Sequence, residues 1–341
     1  MATNARGVGN MQSRVASRAV AAGIAAYVSF SLCACSVPSL PGLPKASYPS
    51  VAEATASLSS GKTATVDDSA LVSPGTLTVG VRTGAVSAPV LVEAQDGSLS
   101  GLDVDLASAI ADEMGLKVRF VGVSTVSDSL GKTCDIVMDL SDGEASSAKV
   151  VGTYAESATA FFHKGDTGIA KVGDLSSKTV GLQDGSMSQR ALENTGLVMS
   201  EKTYSNLNDA FSALEGGQID YVLCDACSGA YLASQYDDIA FVGTLDAAKT
   251  YGVAVSSSNA QLEDAVQSAY DAVSSNGVYD LVRSRWLGGM AQLGTQNQVQ
   301  DVPESSGDAT SLSGDSSDAS SATSQASLTG VGTGAVSVAN L

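Results

Sequence analysis

Between Leu77 and Val123 an alternating apolar run, a glycine-punctuated loop, a segment of helical periodicity and a second apolar run follow one another in a short stretch. Leu77, Val79 and Val81 alternate with Thr78 and Gly80, the period of two that a strand requires. Asp103 and Asp105 stand at the entry of the next element, Leu106, Ala107, Ile110, Ala111 and Met114 recur at helical spacing, and Gly115 closes it. This order predicts a strand-helix-strand unit. Its first loop lies at the carboxyl end of the first strand, where open α/β sheets bind ligands.

The phrase Gly101-Leu102-Asp103-Val104-Asp105-Leu106-Ala107, followed by Ile110-Ala111 and Gly115-Leu116, resembles the GFDVDLA signature of the amino-acid-binding family of extracellular solute-binding proteins of ABC importers. Later phrases fall in that family's order. They are Asp174-Leu175, Lys178 to Ser186, Ala213 to Val222, Tyr251-Gly252-Val253-Ala254-Val255, and Gly277 to Asp280 leading to Trp286-Leu287-Gly288. The resemblance spans roughly residues 75–290. It implies an α/β, two-lobed solute-binding protein fold of the periplasmic type 2 kind, each lobe a mixed sheet flanked by helices, joined by two crossover hinge strands.

The coarse pattern fits that organisation. Lobe 1 takes residues 75–160 and 250–290, and lobe 2 takes 161–249. Ala158–Lys164 reads as the outward crossing and Lys249–Val255 as the return, with final helices near Gln261–Ser274 and Val278–Leu287 packed on the first lobe. Two crossings make the hinge of a closing clamp.

Arg6, Arg14 and Arg18 precede an apolar stretch from Ala19 to Leu32 that is short and alanine-rich, the layout of a secretory signal over residues 1–34. Leu32-Cys33-Ala34-Cys35 resembles the lipobox of bacterial lipoproteins, with Cys35, preceded by small Ala34, as the acceptor of the lipid (palmitate or a similar acyl chain). A diacylated cysteine holds a protein on a membrane, here the extracytoplasmic face. Residues 35–74 read as a flexible tether and residues 291–341, rich in Ser, Gly and Ala, as a disordered tail.

With 18 basic and 36 acidic residues the chain carries a formal charge of −18, which becomes about −21 when the three arginines of the signal are removed. That balance argues against nucleic acid as a partner, which needs a basic footprint. The chain has a single His, His163, and no Cys/His cluster, so neither a zinc site nor a Ser-His-Asp hydrolase is expected, and no cofactor. Cys224-Asp225-Ala226-Cys227 has redox spacing, yet a local disulfide or two buried thiols fit better than redox catalysis; Cys134 reads as a core residue.

Four places are candidates for ligand contact. Gly185-Ser186-Met187-Ser188 follows a strand and opens a helix, so it can cradle a carboxylate or serve only as an N-cap. Asp225 follows the apolar run Tyr221-Val222-Leu223, where the resemblance places an acid for the ligand's α-ammonium; the alternative is a helix N-cap. Arg82 ends the first strand, where some relatives of acidic-amino-acid specificity carry an arginine, and a guanidinium grips carboxylates through two parallel bonds. Asp139, with Asp142 and Glu144, occupies the loop after Ile136–Leu140 and either recognises a cation or is solvated. The sequence also departs from the family: Asp139 to Ala148 lacks the usual arginine, and Ala85 to Val92 lacks the usual aromatic. Either Arg82 takes the carboxylate, or the ligand is not an ordinary α-amino acid.

The resemblance thus implies capture of an amino acid or similar small polar solute by lobe closure and delivery to ABC permease subunits, with no catalysis. The alternatives are an exported enzyme on the same fold, of the cyclohexadienyl or arogenate dehydratase type, and a ligand-sensing protein.

Overall fold

The computed structural model describes residues 49–57, 61–82, 88–165 and 168–304. The proposed signal and Cys35 lie outside the described residues, as does the chain beyond 304. Helix α1 (Val51–Ser57) precedes strand β1 (Thr76–Arg82), the small hairpin β2 (Val92–Glu93) and β3 (Leu99–Ser100), helix α2 (Leu102–Glu113) and strand β4 (Lys117–Val123). Helix α3 (Val126–Ser129) leads to β5 (Ile136–Leu140) and the long β6 (Ala148–Ser157). The chain then enters a second sheet through β7 (Thr159–Lys164), α4 (Val172–Leu175), β8 (Thr179–Gln183), α5 (Met187–Glu193), β9 (Ser200–Tyr204), α6 (Leu207–Glu215), β10 (Tyr221–Asp225), α7 (Ala226–Ala233) and β11 (Ile239–Thr244). It returns through β12 (Lys249–Ser256) to α8 (Ala260–Ser275) and α9 (Val278–Leu287).

The first sheet has the order β4-β1-β5-β12-β6 and the second β11-β7-β10-β8-β9. In the first, β1 pairs parallel with β4 and β5, while β12 pairs antiparallel with β5 and β6. In the second, β8 is parallel to β9 and β10, and β7 is antiparallel to β10 and β11. Both sheets are therefore mixed, and each buries two faces, which is why β1 is buried from Leu77 to Val81 rather than alternately.

Packing follows side-chain period. Leu262, Val266, Ala269 and Val273 form one stripe of α8, which lies with α2 and α9 on the first sheet; Asn259 caps the helix by accepting from the Leu262 N–H at 3.2 Å. In the second sheet Phe161, Tyr221 and Leu223 face one way and Phe162, Val222 and Cys224 the other, so two separate clusters sandwich it. Gly101 enters α2 at φ +130°, and a Cβ there would stand 2.4 Å from the Val90 carbonyl oxygen. That close approach lets Leu102 and Asp103 donate their N–H groups to the carbonyls of Pro89 and Val90 at 3.0 and 3.1 Å.

The two crossings stay paired as they pass between sheets. Ser157 stands opposite Lys249 and Ala160 opposite Thr244, and between them Asp246 accepts from the Thr159 N–H at 2.7 Å while Leu245 donates to the Thr159 carbonyl at 2.7 Å. The chain also passes a third time. Beyond α9, where sequence reading expects a disordered tail from residue 291, residues 291–304 lie on the second sheet: Leu293 and Val299 are buried, Val299 donates to the Thr244 carbonyl at 2.9 Å, and Gly196 donates to that of Pro303 at 2.6 Å. The expected tether likewise gives way to structure, because residues 51–57 form α1 and Val66 and Leu71 are buried apolar anchors.

The two acids of the signature do more than open a helix. Asp105 is 1% exposed; one oxygen accepts from the Ala52 N–H at 3.0 Å and the other from Trp286 Nε1 at 2.8 Å, tying α1, α2 and α9 together. Replacing Asp105 by Ala leaves one buried donor, Trp286 Nε1, and one half-buried donor, the Ala52 N–H, unpaired, so we expect a loss of about 2–4 kcal/mol of stability, measured by urea unfolding. A loss below about 0.5 kcal/mol, the ordinary size of a surface substitution, would contradict this reading.

Candidate functional site

Three strands from two sheets end near one another: Arg82 is the last residue of β1, Asp139 lies near the end of β5, and Asp225 is the last residue of β10. Both ends of the Arg82 guanidinium are engaged. Nη2 lies 2.8 Å from Glu144 Oε1, and Nη1 donates to the Asp139 carbonyl at 3.1 Å. Glu144 Oε2 accepts from the Ser141 N–H at 3.2 Å, closing the turn, while Asp142 at its tip is exposed.

Asp139 adopts φ +59°, a left-handed conformation that costs a residue with a Cβ of order 1 kcal/mol or more. It is held on both sides. Its N–H donates to the Tyr154 hydroxyl at 2.8 Å, its carbonyl accepts from Arg82, and the Tyr154 hydroxyl in turn donates to Asp103 Oδ1 at 2.6 Å. Burial, followed by the charge of Asp139, pushes the Asp103 carboxyl well above the usual range. Burial also raises Asp139 to about 6; Glu144 and Asp225 push the same way and Arg82 opposes them.

Asp225 is the N-cap of α7, with Oδ1 accepting from the Ser228 N–H at 2.9 Å, and its Oδ2 accepts from the Ser157 hydroxyl of β6. The Ser228 hydroxyl reaches the Ala88 carbonyl at 3.1 Å, a contact from the second sheet's helix to the loop after β1. Tyr251, half-buried on β12, stands beside this group; burial raises its phenol first, and then Asp139, with Asp225 and Glu144 adding to the shift.

The structure therefore brings Arg82, Asp139, Glu144 and Asp225 together. Gly185, Ser186, Met187 and Ser188 form a turn at the end of β8 whose hydrogen bonds close locally: Ser186 Oγ accepts from the Gln189 N–H at 3.2 Å, and the Gly185 N–H donates to Gln189 Oε1 at 3.0 Å. Met187 is exposed and Ser188 buried. Sequence reasoning missed Tyr154, Ser157, Ser228 and Tyr251 as parts of the site. Only Tyr251 carried a signal, as the first residue of a phrase shared with the family.

Cys134, Cys224 and Cys227 are free, buried thiols. Cys224 packs in a cluster of the second sheet and Cys227 in that of the first lobe, donating to the Glu156 carbonyl at 3.4 Å. Burial raises both thiols well above their ordinary value, which disfavours the thiolate that redox exchange needs. His163 lies in β7 with its ring centroid 4.9 Å from that of Tyr221.

A carboxyl raised in the folded state stabilises the protein below its unfolded pKa and loses that contribution as pH rises through its folded one. With 3.8 and about 6 as the two values, Asp139 should cost the ligand-free protein about 3 kcal/mol as pH rises from about 4 to above 6. Urea unfolding of the parent and of Asp139→Asn across this range measures it: the gap between them should move in favour of the variant with rising pH, and a constant gap would contradict the assignment.

Residues 77–289 match the model of the bacterial extracellular solute-binding proteins, family 3. The chain is similar to the arginine-binding periplasmic protein of Mannheimia haemolytica, 27% identical over 212 residues that cover 59% of this chain and 87% of that protein. It is also similar to the L-cystine-binding protein TcyJ of Escherichia coli (strain K12), 26% identical over 225 residues covering 63% and 83%. Among solved structures, a polar amino acid ABC uptake transporter substrate-binding protein from Streptococcus thermophilus aligns with a TM-score of 0.57 at 22% identity, covering 65% of this chain and 89% of that one, a likeness of fold. The matched residues run from β1 to just past α9 and so include both sheets and both crossings. The chain belongs to family 3 of the bacterial extracellular solute-binding proteins.

Proposed function

We propose that this protein captures a cationic α-amino acid, with L-arginine as the representative ligand, and delivers it to the permease subunits of an ABC importer without transforming it. The observation that carries the reading is the charge balance of the site: three carboxylates, Asp139, Glu144 and Asp225, share it with one guanidinium, Arg82, and burial together with the other two carboxylates already resists ionisation of Asp139. A ligand with net positive charge relieves that repulsion; an anionic one adds to it. The similarity to the arginine-binding periplasmic protein of Mannheimia haemolytica agrees with this preference.

In this reading Asp225 takes the α-ammonium, Asp139 the side-chain cation and Arg82 the carboxylate, with the Gly185–Ser188 turn as a further contact from the second lobe. A ligand that touches groups from both sheets shifts the population toward a closed clamp turning on the paired crossing strands. We further propose that residues 1–34 are a cleaved signal and that acylated Cys35 anchors the protein on the outer face of the membrane. Among the described residues no helix is long and apolar enough to cross a membrane. Mass spectrometry of the mature amino-terminal peptide tests the anchor.

Titration calorimetry at pH 7.5 tests the ligand. L-Arginine should bind in preference to L-glutamate, and Asp225→Ala should weaken L-arginine by about 10- to 100-fold, the value of one hydrogen-bonded charge pair, with unchanged circular dichroism. Preference for L-glutamate, or an Asp225→Ala protein that binds like the parent, would overturn the reading.

A further inference from the structure

A carboxylate that binds a guanidinium through two parallel bonds needs two N–H groups on one edge of the fork. On Arg82 each terminal nitrogen already engages one partner, Nη2 with Glu144 Oε1 at 2.8 Å and Nη1 with the Asp139 carbonyl at 3.1 Å, so a carboxylate that grips both must share Nη2 with Glu144 or displace it. The Asp139 carbonyl is fixed by the backbone, whereas Glu144 belongs to an exposed turn. The Arg82 and Glu144 side chains are 33% and 36% exposed, so water can take the place of either partner and the pair can open.

We propose that Glu144 is a built-in competitor for the ligand's carboxylate at Arg82, and so sets how strongly the site prefers an amino acid over the corresponding carboxylate-free amine. The inference rests on the cationic-amino-acid reading. The ligand's carboxylate displaces Glu144 from Nη2 and inherits its partner, so part of the binding energy is spent on opening the internal pair. A cation without a carboxylate leaves the pair closed. Glu144 thus narrows the advantage that Arg82 would otherwise give to α-amino acids.

The test compares L-arginine with agmatine, its decarboxylated counterpart, by calorimetry on the parent, Glu144→Gln, Arg82→Ala and the double variant. Glutamine keeps the side-chain length and an acceptor for the Ser141 N–H, and circular dichroism checks each fold. Agmatine carries two positive charges and L-arginine a net one, so loss of the negative charge at 144 by itself raises the ratio of L-arginine to agmatine affinity somewhat, with or without Arg82; relief of competition adds to that rise only where Arg82 is present. The ratio of L-arginine to agmatine affinity should therefore rise about tenfold in Glu144→Gln, and the same substitution should raise it by clearly less, about threefold at most, in the Arg82→Ala background. A ratio that stays constant or falls in Glu144→Gln while both compounds bind would overturn this inference alone, as would an equal rise without Arg82. A folded parent that binds neither compound would overturn the cationic-amino-acid reading and this inference with it.

Discussion

The phenol of Tyr154 connects the core of the first lobe to its surface chemistry. It donates to the buried Asp103 of α2 and accepts from the backbone of Asp139, and the Tyr154 carbonyl accepts from the Tyr279 hydroxyl of α9 at 2.7 Å. The hydrogen bond at its N–H is one of the two that hold Asp139 in a left-handed conformation that its Cβ disfavours. The same residue's carbonyl orients Arg82, and Arg82 orients Glu144. A chain of four hydrogen-bonded or ion-paired contacts thus runs from the buried Asp103 of α2 to Arg82 and Glu144 at the strand ends of the candidate site.

The second lobe reaches this group through the crossing strands. Ser157, the last residue of β6, donates to Asp225. Its neighbour Glu156 is buried against Arg283 of α9, with Nη1 to Oε2 at 3.2 Å, and Arg283 also donates to the Met290 carbonyl at 3.3 Å. Met290 opens the segment that returns to the second sheet. One guanidinium therefore joins the outward crossing, the last helix and the third passage between the sheets, and through Glu156 and Ser157 it lies within a short chain of contacts from Asp225, which we propose takes the ligand's ammonium.

Much of the fold was legible because period and punctuation agreed. The helix over 278–287 and the strand 136–140 appear where the sequence places them, and Gly115, at φ +69°, follows the end of α2 as its backbone freedom suggests. The edge strand β9, Ser-Glu-Lys-Thr-Tyr, gave no signal because four of its five residues are exposed and carry no alternation. The segment 291–304 was invisible for a related reason: its apolar anchors, Leu293, Val299 and Val302, are isolated in polar sequence and form no periodic face. In the site, residue type pointed to Arg82, Asp139 and Asp225, since charged groups at strand ends are conspicuous. That Glu144 occupies Arg82, and that Asp103 and Asp105 are buried partners rather than helix-entry charges, are facts of distance that no local pattern encodes.

The central claim is that a cation settles against carboxylates that repel one another while the site is free. Calorimetry of L-arginine binding at pH 6 in two buffers of different ionisation enthalpy measures the proton balance directly. With Asp139 near 6 in the free protein, cation binding should pull its pKa down and release about half a proton per ligand bound. Binding with no proton exchange, or with proton uptake, would contradict the account.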